Sequence, residues 1–166
     1  MLPNDVWIFP PTGPPRVLVD GLPNCPDGLA TSPDEKTLYL SVDPLTPEDP
    51  FATALVDVIY AFDLVNVSGG IFATGKRVFA KADYSSFDGI VVDKLGNVYA
   101  TMGDGVAIYN PAGTLLGKIA LTATLPIGFH PTNSVGLAGN RLIMMHNSDI
   151  FMLPLNASVI PGPVGQ

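Results

Sequence analysis

The 166-residue chain has a net charge of −7, only 14% charged residues and one cysteine, Cys25. It is long enough for one domain with a core, and its eight scattered Lys and Arg exclude the basic face of a nucleic-acid binder. A lone cysteine excludes an internal disulfide framework, and no run reaches the roughly 18 apolar residues of a membrane span.

The start of the chain, Met1 to Asp5, has neither the basic beginning nor the apolar run of a secretory signal. The Asn-x-Ser sequons at Asn66 and Asn156 matter only for a full-length parent on the secretory route. The compartment is therefore left open. With 17 Gly and 17 Pro set between short apolar runs, the composition reads as turn punctuation in an all-β protein.

In chain order, β-branched and aromatic runs predict strands at 6–9 and 16–19, separated by the Pro-rich segment 10–15. Strands follow at 28–31, 37–42, 56–63 and 77–80, with a second Pro-rich excursion at 44–50. Residues 54–64 are long enough for a helix. Their Val56, Val58, Tyr60 and Phe62 alternate with mixed partners, which favours a strand. Further strands are expected at 89–92, 97–101, 106–109, 115–120, 134–138, 141–145 and 150–153. Asp104, in Gly-Asp-Gly, reads as a hairpin turn.

Three segments are copies of one unit: Asp27 to Tyr39, Asp88 to Tyr99 and, more weakly, Asn133 to Ile143. Each sets an Asp or Asn before an apolar strand, a polar turn and a second apolar strand. Repetition at some tens of residues indicates a propeller or another array. Four-strand units then run from Asp27 to about Ala80 and from Asp88 to about Ala120, with two strands before and three after. In a propeller, equivalent positions surround one axis, so Asp27, Asp88 and Asn133 would converge, and converging oxygens suit a metal ion.

Pro26-Asp-Gly-Leu-Ala-Thr-Ser-Pro-Asp-Glu-Lys-Thr-Leu-Tyr39, Ile59-Tyr-Ala-Phe-Asp63, Asp88-Gly-Ile-Val-Val-Asp93 and Gly96-Asn-Val-Tyr-Ala100 together resemble the senescence marker protein, gluconolactonase and luciferin-regenerating enzyme family, especially its fungal lactonohydrolase-like members. The resemblance extends through Arg77-Val-Phe-Ala80, Gly103-Asp-Gly-Val106 and Gly113-Thr-Leu-Leu-Gly-Lys-Ile119. It implies an all-β, partial six-bladed β-propeller of about three four-stranded antiparallel blades. Residues 1–155 would form the C-terminal half of the ring, with incomplete first and last blades, and 156–166 a tail. It further implies a metal-dependent lactone hydrolase with one divalent cation, Ca²⁺ ahead of Zn²⁺, held by Asp27 and Asp88. Asp88 matches the family's Asp and would also be the catalytic base, although Phe87 stands where the family has Pro. Asp27 stands where the family has Asn. The family's Glu ligand belongs to the half of the ring outside this chain, so the cation would be held weakly here.

Blander readings compete. Asp-Gly is an ordinary turn dipeptide, which covers Asp27 and Asp88, and Asn133 suits a backbone-bonding role at a strand entrance. His130 and His146 lack partners at metal or triad spacing and read as solvated or structural. Ser32, Ser85 and Ser134 lack a nucleophile elbow. Met144 and Met145 read as core, Trp7 as a blade-edge residue, and Cys25 as a small, at least half-buried residue beside a turn. Two functions follow. One is a lactonase acting on a small lactone, active once the N-terminal blades are supplied. The other is a non-catalytic propeller remnant or binding module that needs a partner, either a homo-oligomer or the missing half-propeller. No nucleic-acid or membrane partner is expected.

Overall fold

The computed structural model describes residues 4–22, 25–42, 57–83, 86–121, 132–146 and 149–156. Among them are thirteen strands and no helix. Strands β1 (Val6–Ile8) and β2 (Arg16–Val19) form a two-stranded sheet. Strands β3 (Pro26–Thr31), β4 (Thr37–Val42), β5 (Val58–Val67) and β6 (Gly70–Lys81) form a four-stranded sheet in chain order. The next four-stranded sheet comprises β7 (Ile90–Val92), β8 (Val98–Met102), β9 (Gly105–Tyr109) and β10 (Leu115–Ala120). Strands β11 (Thr132–Ala138), β12 (Arg141–His146) and β13 (Asp149–Pro154) complete the set. All pairings are antiparallel. This is the two, four, four and three grouping expected from the repeat.

Period-two alternation explains why the sheets stack. On β4, Leu38, Leu40 and Val42 face the β1–β2 sheet and pack with Val19, Leu22 and Phe62. The intervening Tyr39 faces the other way, into a cluster with Ile59, Phe87, Val98, Met102 and Tyr109. On β8 the pattern repeats: Val98, Ala100 and Met102 meet the preceding sheet, while Tyr99 meets Val106, Leu142 and Met144 towards the next. Each interior strand is therefore apolar on both faces. An aromatic row of Tyr39, Phe79, Tyr109 and Phe87, in edge-on contacts with centroids 4.8–6.3 Å apart, seals the central interface. Packing of whole blade faces, rather than any local propensity, carries the stability.

The first two strands of each four-stranded sheet are joined by polar turns built alike. Ser32 takes the Thr37 amide on its hydroxyl, and Asp34 takes the Lys36 amide. One blade on, the buried Asp93 carboxylate accepts from the Leu95 and Asn97 amides, the Asn97 side chain and the Tyr99 hydroxyl. The left-handed position of this turn is Gly96, at φ 83°, in one blade and Glu35, at φ 56°, in the other. Asp104 does lie in the β8–β9 connection, where its carbonyl accepts from the Leu121 amide.

Several local readings change. Strand β6 begins at Gly70 rather than near residue 77, because β5 and β6 continue past the packed sheet as a largely exposed ribbon closed at Ser68 and Gly69. No buried face marks that extension in the sequence. Cys25 is exposed; His146 is buried, the structural of its two readings. Met144 is core, whereas Met145 is exposed on the opposite face of the same strand. Trp7 is half exposed on β1. The Pro-rich segment 44–50, Ser85 and His130 lie outside the described residues.

Candidate functional site

The three repeat units meet along their first strands. Strand β3 packs beside β7, and β11 beside β7 and β8. The approach is closest at the two Asp-Gly pairs. A Cβ on Gly28 would sit 2.0 Å from the Asp88 carbonyl oxygen. A Cβ on Gly89 would sit 2.9 Å from the Ser134 Cα and 3.2 Å from the Asn133 carbonyl oxygen, and the Gly89 amide donates to that oxygen at 3.2 Å. Glycine is required here because two backbones touch, and neither residue has a positive φ. Asp27-Gly28 lies within β3 and Asp88-Gly89 directly precedes β7, so the turn reading of these dipeptides is not what the structure has.

Asp27, Asp88 and Asn133 therefore stand in a row at the starts of three adjacent strands. Asp27 and Asn133 each fall in a register shift, between Pro26 and Leu29 on β3 and between Thr132 and Ser134 on β11. A bulge of this kind re-aims a side chain out of the simple up–down alternation. Asp27 and Asn133 are exposed and Asp88 is partly buried.

A second row lies just behind, one member per blade, near the end of each second strand. Ser41 on β4 is fully buried; its hydroxyl accepts the Gly28 amide at 2.7 Å and donates to the Asp88 carbonyl oxygen at 2.9 Å, with the Gly28 carbonyl at 3.3 Å as a second acceptor. Thr101 on β8, also fully buried, gives its amide to the Gly89 carbonyl at 2.9 Å, with its hydroxyl 3.4 Å from the same oxygen. His146 on β12 sets Nδ1 3.4 Å from the Thr132 hydroxyl. Each lies 13 or 14 positions beyond its own unit's Asp or Asn. That constant offset, with a polar residue closing an apolar strand, is the signal by which the row was discoverable. A further buried group, Asp57, enters just ahead of β5 and takes the Phe87 amide on Oδ2 at 2.7 Å.

Chemically, the inner row offers two carboxylates and a carboxamide. These are hard oxygen donors, the kind Ca²⁺ takes and thiolate-seeking metals do not. In kind, the residues fit a hard divalent cation. Among the described residues no group of three or more His, Cys, Asp or Glu assembles, so Asp27 and Asp88 would supply only part of a shell of about six to eight oxygens. The cleft of about 510 Å³ between the two four-stranded sheets is elsewhere. It is lined by Asp34, Tyr39, Arg77, Phe79, Lys94 and Pro111, at the turn ends of the strands, away from Asp27 and Asp88.

Residues 11–135 match the model of the SMP-30/gluconolactonase/LRE-like region. The chain is 32% identical over 128 residues to lactonohydrolase oryH of Aspergillus oryzae, covering 69% of this chain and 27% of that protein. It is also 32% identical over 123 residues to a gluconolactonase of Zymomonas mobilis, covering 70% and 32%. In structure it is similar to XC5397 of Xanthomonas campestris, a gluconolactonase, with a TM-score of 0.71 at 30% identity over 94% of this chain and 46% of that one. The chain thus spans less than half the length of each of these relatives. With the blade architecture, the repeat and these likenesses in agreement, the chain belongs to the SMP-30/gluconolactonase/LRE-like family.

Proposed function

We propose that this chain contributes part of the active site of a lactone hydrolase, with Asp88 as catalytic base and Asp27 and Asp88 as ligands of one divalent cation, Ca²⁺ ahead of Zn²⁺. The observation that carries the reading is the contact between the two Asp-Gly pairs, which sets two carboxylate-bearing residues on touching strands. The relatives named as gluconolactonase and lactonohydrolase supply the reaction class.

A bound cation would supply polarisation of the ester carbonyl and stabilisation of negative charge on its oxygen. Asp88, partly buried at the mouth of β7, would take the proton of the attacking water. Asp27, more exposed, would hold the cation rather than move a proton. An Asp where the family has Asn adds one negative charge, which favours a hard divalent cation electrostatically. Ring opening yields a hydroxy acid, and the acidic chain, at −7, would favour its departure at low salt. The test is hydrolysis of an aldonolactone followed by pH-stat, with the N-terminal blades supplied, with and without chelator, in the wild type and in Asp88→Ala. Activity that needs the cation and is lost in Asp88→Ala supports the reading; wild-type turnover in that variant removes Asp88 from the mechanism.

A second reading rests on the end sheets. Trp7, Phe9 and Val17 at one end and Met145, Ile150 and Met152 at the other are exposed, Ile150 at 71% and Met152 at 62%. Apolar blade faces of this kind suit docking to another chain, as a binding module would require. Sedimentation across a concentration series separates the readings: self-association, with no lactone turnover even when the N-terminal blades are supplied, favours the module.

A further inference from the structure

The Phe87–Asp88 segment is held from outside its own sheet. Two groups that hold it belong to the preceding blade: the Ser41 hydroxyl, from β4, and the Asp57 carboxylate, ahead of β5. The first bonds the carbonyl of Asp88, the second the amide of Phe87, so the backbone is gripped on both sides of the Asp88 Cα. Both gripping side chains are buried, Ser41 at 0% and Asp57 at 2% exposure. The Phe87 ring, at 0% exposure, packs edge-on against Tyr109. Where the family pattern has proline there would be no amide to give; Phe87 has one, and Asp57 takes it.

Ser41 does more than grip Asp88. Its oxygen also accepts the amide of Gly28, the residue after Asp27. One buried hydroxyl thus bonds the backbone beside one candidate ligand and the backbone of the other, across a blade interface. A bond of this type is short, directional and shielded from water, so it sets a separation rather than merely adding stability.

We propose that Ser41 is a positioning residue that fixes the spacing of Asp27 and Asp88, with Asp57 as the second hold on Asp88. The inference rests on the lactonase reading for its role, and on the hydrogen bonds for its geometry. Groups behind the ligands of a metal commonly govern affinity, and their loss costs about 10–100-fold.

The experiment is calorimetric titration with calcium chloride alone, paired with lactone kinetics and thermal melts, on the chain with the N-terminal blades supplied. Ser41→Ala is expected to weaken calcium binding on the order of tenfold and to lower kcat with little change in KM. Ser41→Thr restores most of both, since Thr101 occupies the equivalent position one blade on. Leu40→Val, which thins the core on the opposite face of β4, is expected to lower the melting temperature while leaving calcium affinity unchanged. Asp57→Asn keeps an acceptor for Phe87 and stays near wild type, whereas Asp57→Ala behaves as Ser41→Ala. Ser41→Cys keeps the shape with a slightly larger, weakly bonding sulfur, so the claim stays testable should Ser41→Ala not fold. Wild-type calcium affinity and kcat in Ser41→Ala would overturn the positioning role and leave the site reading standing. A wild-type protein that, with the N-terminal blades supplied, neither binds calcium nor opens a lactone would overturn the site reading, and this role with it.

Discussion

The Ser41 hydroxyl lies 2.9 Å from the carbonyl oxygen of Asp88, a residue 47 positions away in the chain and one blade over. The contact exists because Gly28 has no side chain. Its α-hydrogen faces the Asp88 carbonyl, where a methyl group would lie at 2.0 Å, so β3 and β7 can close to within reach of one hydroxyl. Backbone proximity and polar positioning are two results of the same glycine.

Gly28→Ala is accordingly expected to destabilise the protein by about 1–3 kcal/mol, the usual cost of forcing volume into a closed contact. Gly136→Ala, on a strand where an added Cβ meets nothing within 4 Å, should stay within about 0.5 kcal/mol of wild type. Urea unfolding of the pair measures the difference. Equal stability in the two variants would show that the β3–β7 contact is looser than described.

Asp27 and Asp88 should respond differently to amide substitution. On the proposed reading, Asp27→Asn retains an oxygen donor, so calcium affinity and lactone turnover should persist. On the same reading, Asp88→Asn keeps a donor but removes the proposed base, and turnover should fall about 10²–10⁴-fold. Parallel kinetics of the two variants check this; equal losses would mean both residues serve only as ligands.

Glu35 holds φ 56° at the turn position where the next blade has Gly96. A side chain in that region costs roughly 1 kcal/mol, partly offset in a glycine variant by the freer unfolded chain. Glu35→Gly should therefore raise stability by some tenths of a kcal/mol, or about 1–2 °C in Tm. A calorimetric scan that finds the variant less stable would locate a contact of the Glu35 side chain that outweighs the strain.

Burial, and then the neighbouring Asp93 carboxylate that its hydroxyl bonds at 3.2 Å, push the Tyr99 phenol up to about 12 from its usual 10.0. Burial likewise raises Tyr39 and Tyr109. The folded protein holds these protons more tightly than the unfolded chain. Their contribution to stability is complete below pH 10 and is lost in the alkaline range above it, that of Tyr99 as the pH rises through about 12. Tyr99→Phe should flatten that alkaline loss while lowering stability near neutrality by roughly 1 kcal/mol, the value of its bond to Asp93. Urea midpoints measured from neutral to alkaline pH test both effects; an unchanged slope would place the titrating groups elsewhere.

Strand order, the grouping into blades and the row formed by Asp27, Asp88 and Asn133 were legible in the sequence. Each is written as a repeated pattern of apolar alternation and turn residues, and repetition makes one unit interpret the next. The polar turn at residues 32–36 and its counterpart at 93–97 were legible for the same reason, since local hydrogen bonds use neighbours in the chain. The role of the glycines was not. Asp27-Gly28 and Asp88-Gly89 have the composition of turns, and only the approach of another strand reveals that Gly28 and Gly89 serve contact between backbones. The bulges at Asp27 and Asn133 and the roles of Ser41 and Asp57 were equally hidden, because each depends on a partner supplied by another strand or blade. A sequence of local alternation determines which faces are apolar; only the closing of one blade against the next decides which backbone groups need a hydroxyl or a carboxylate between them.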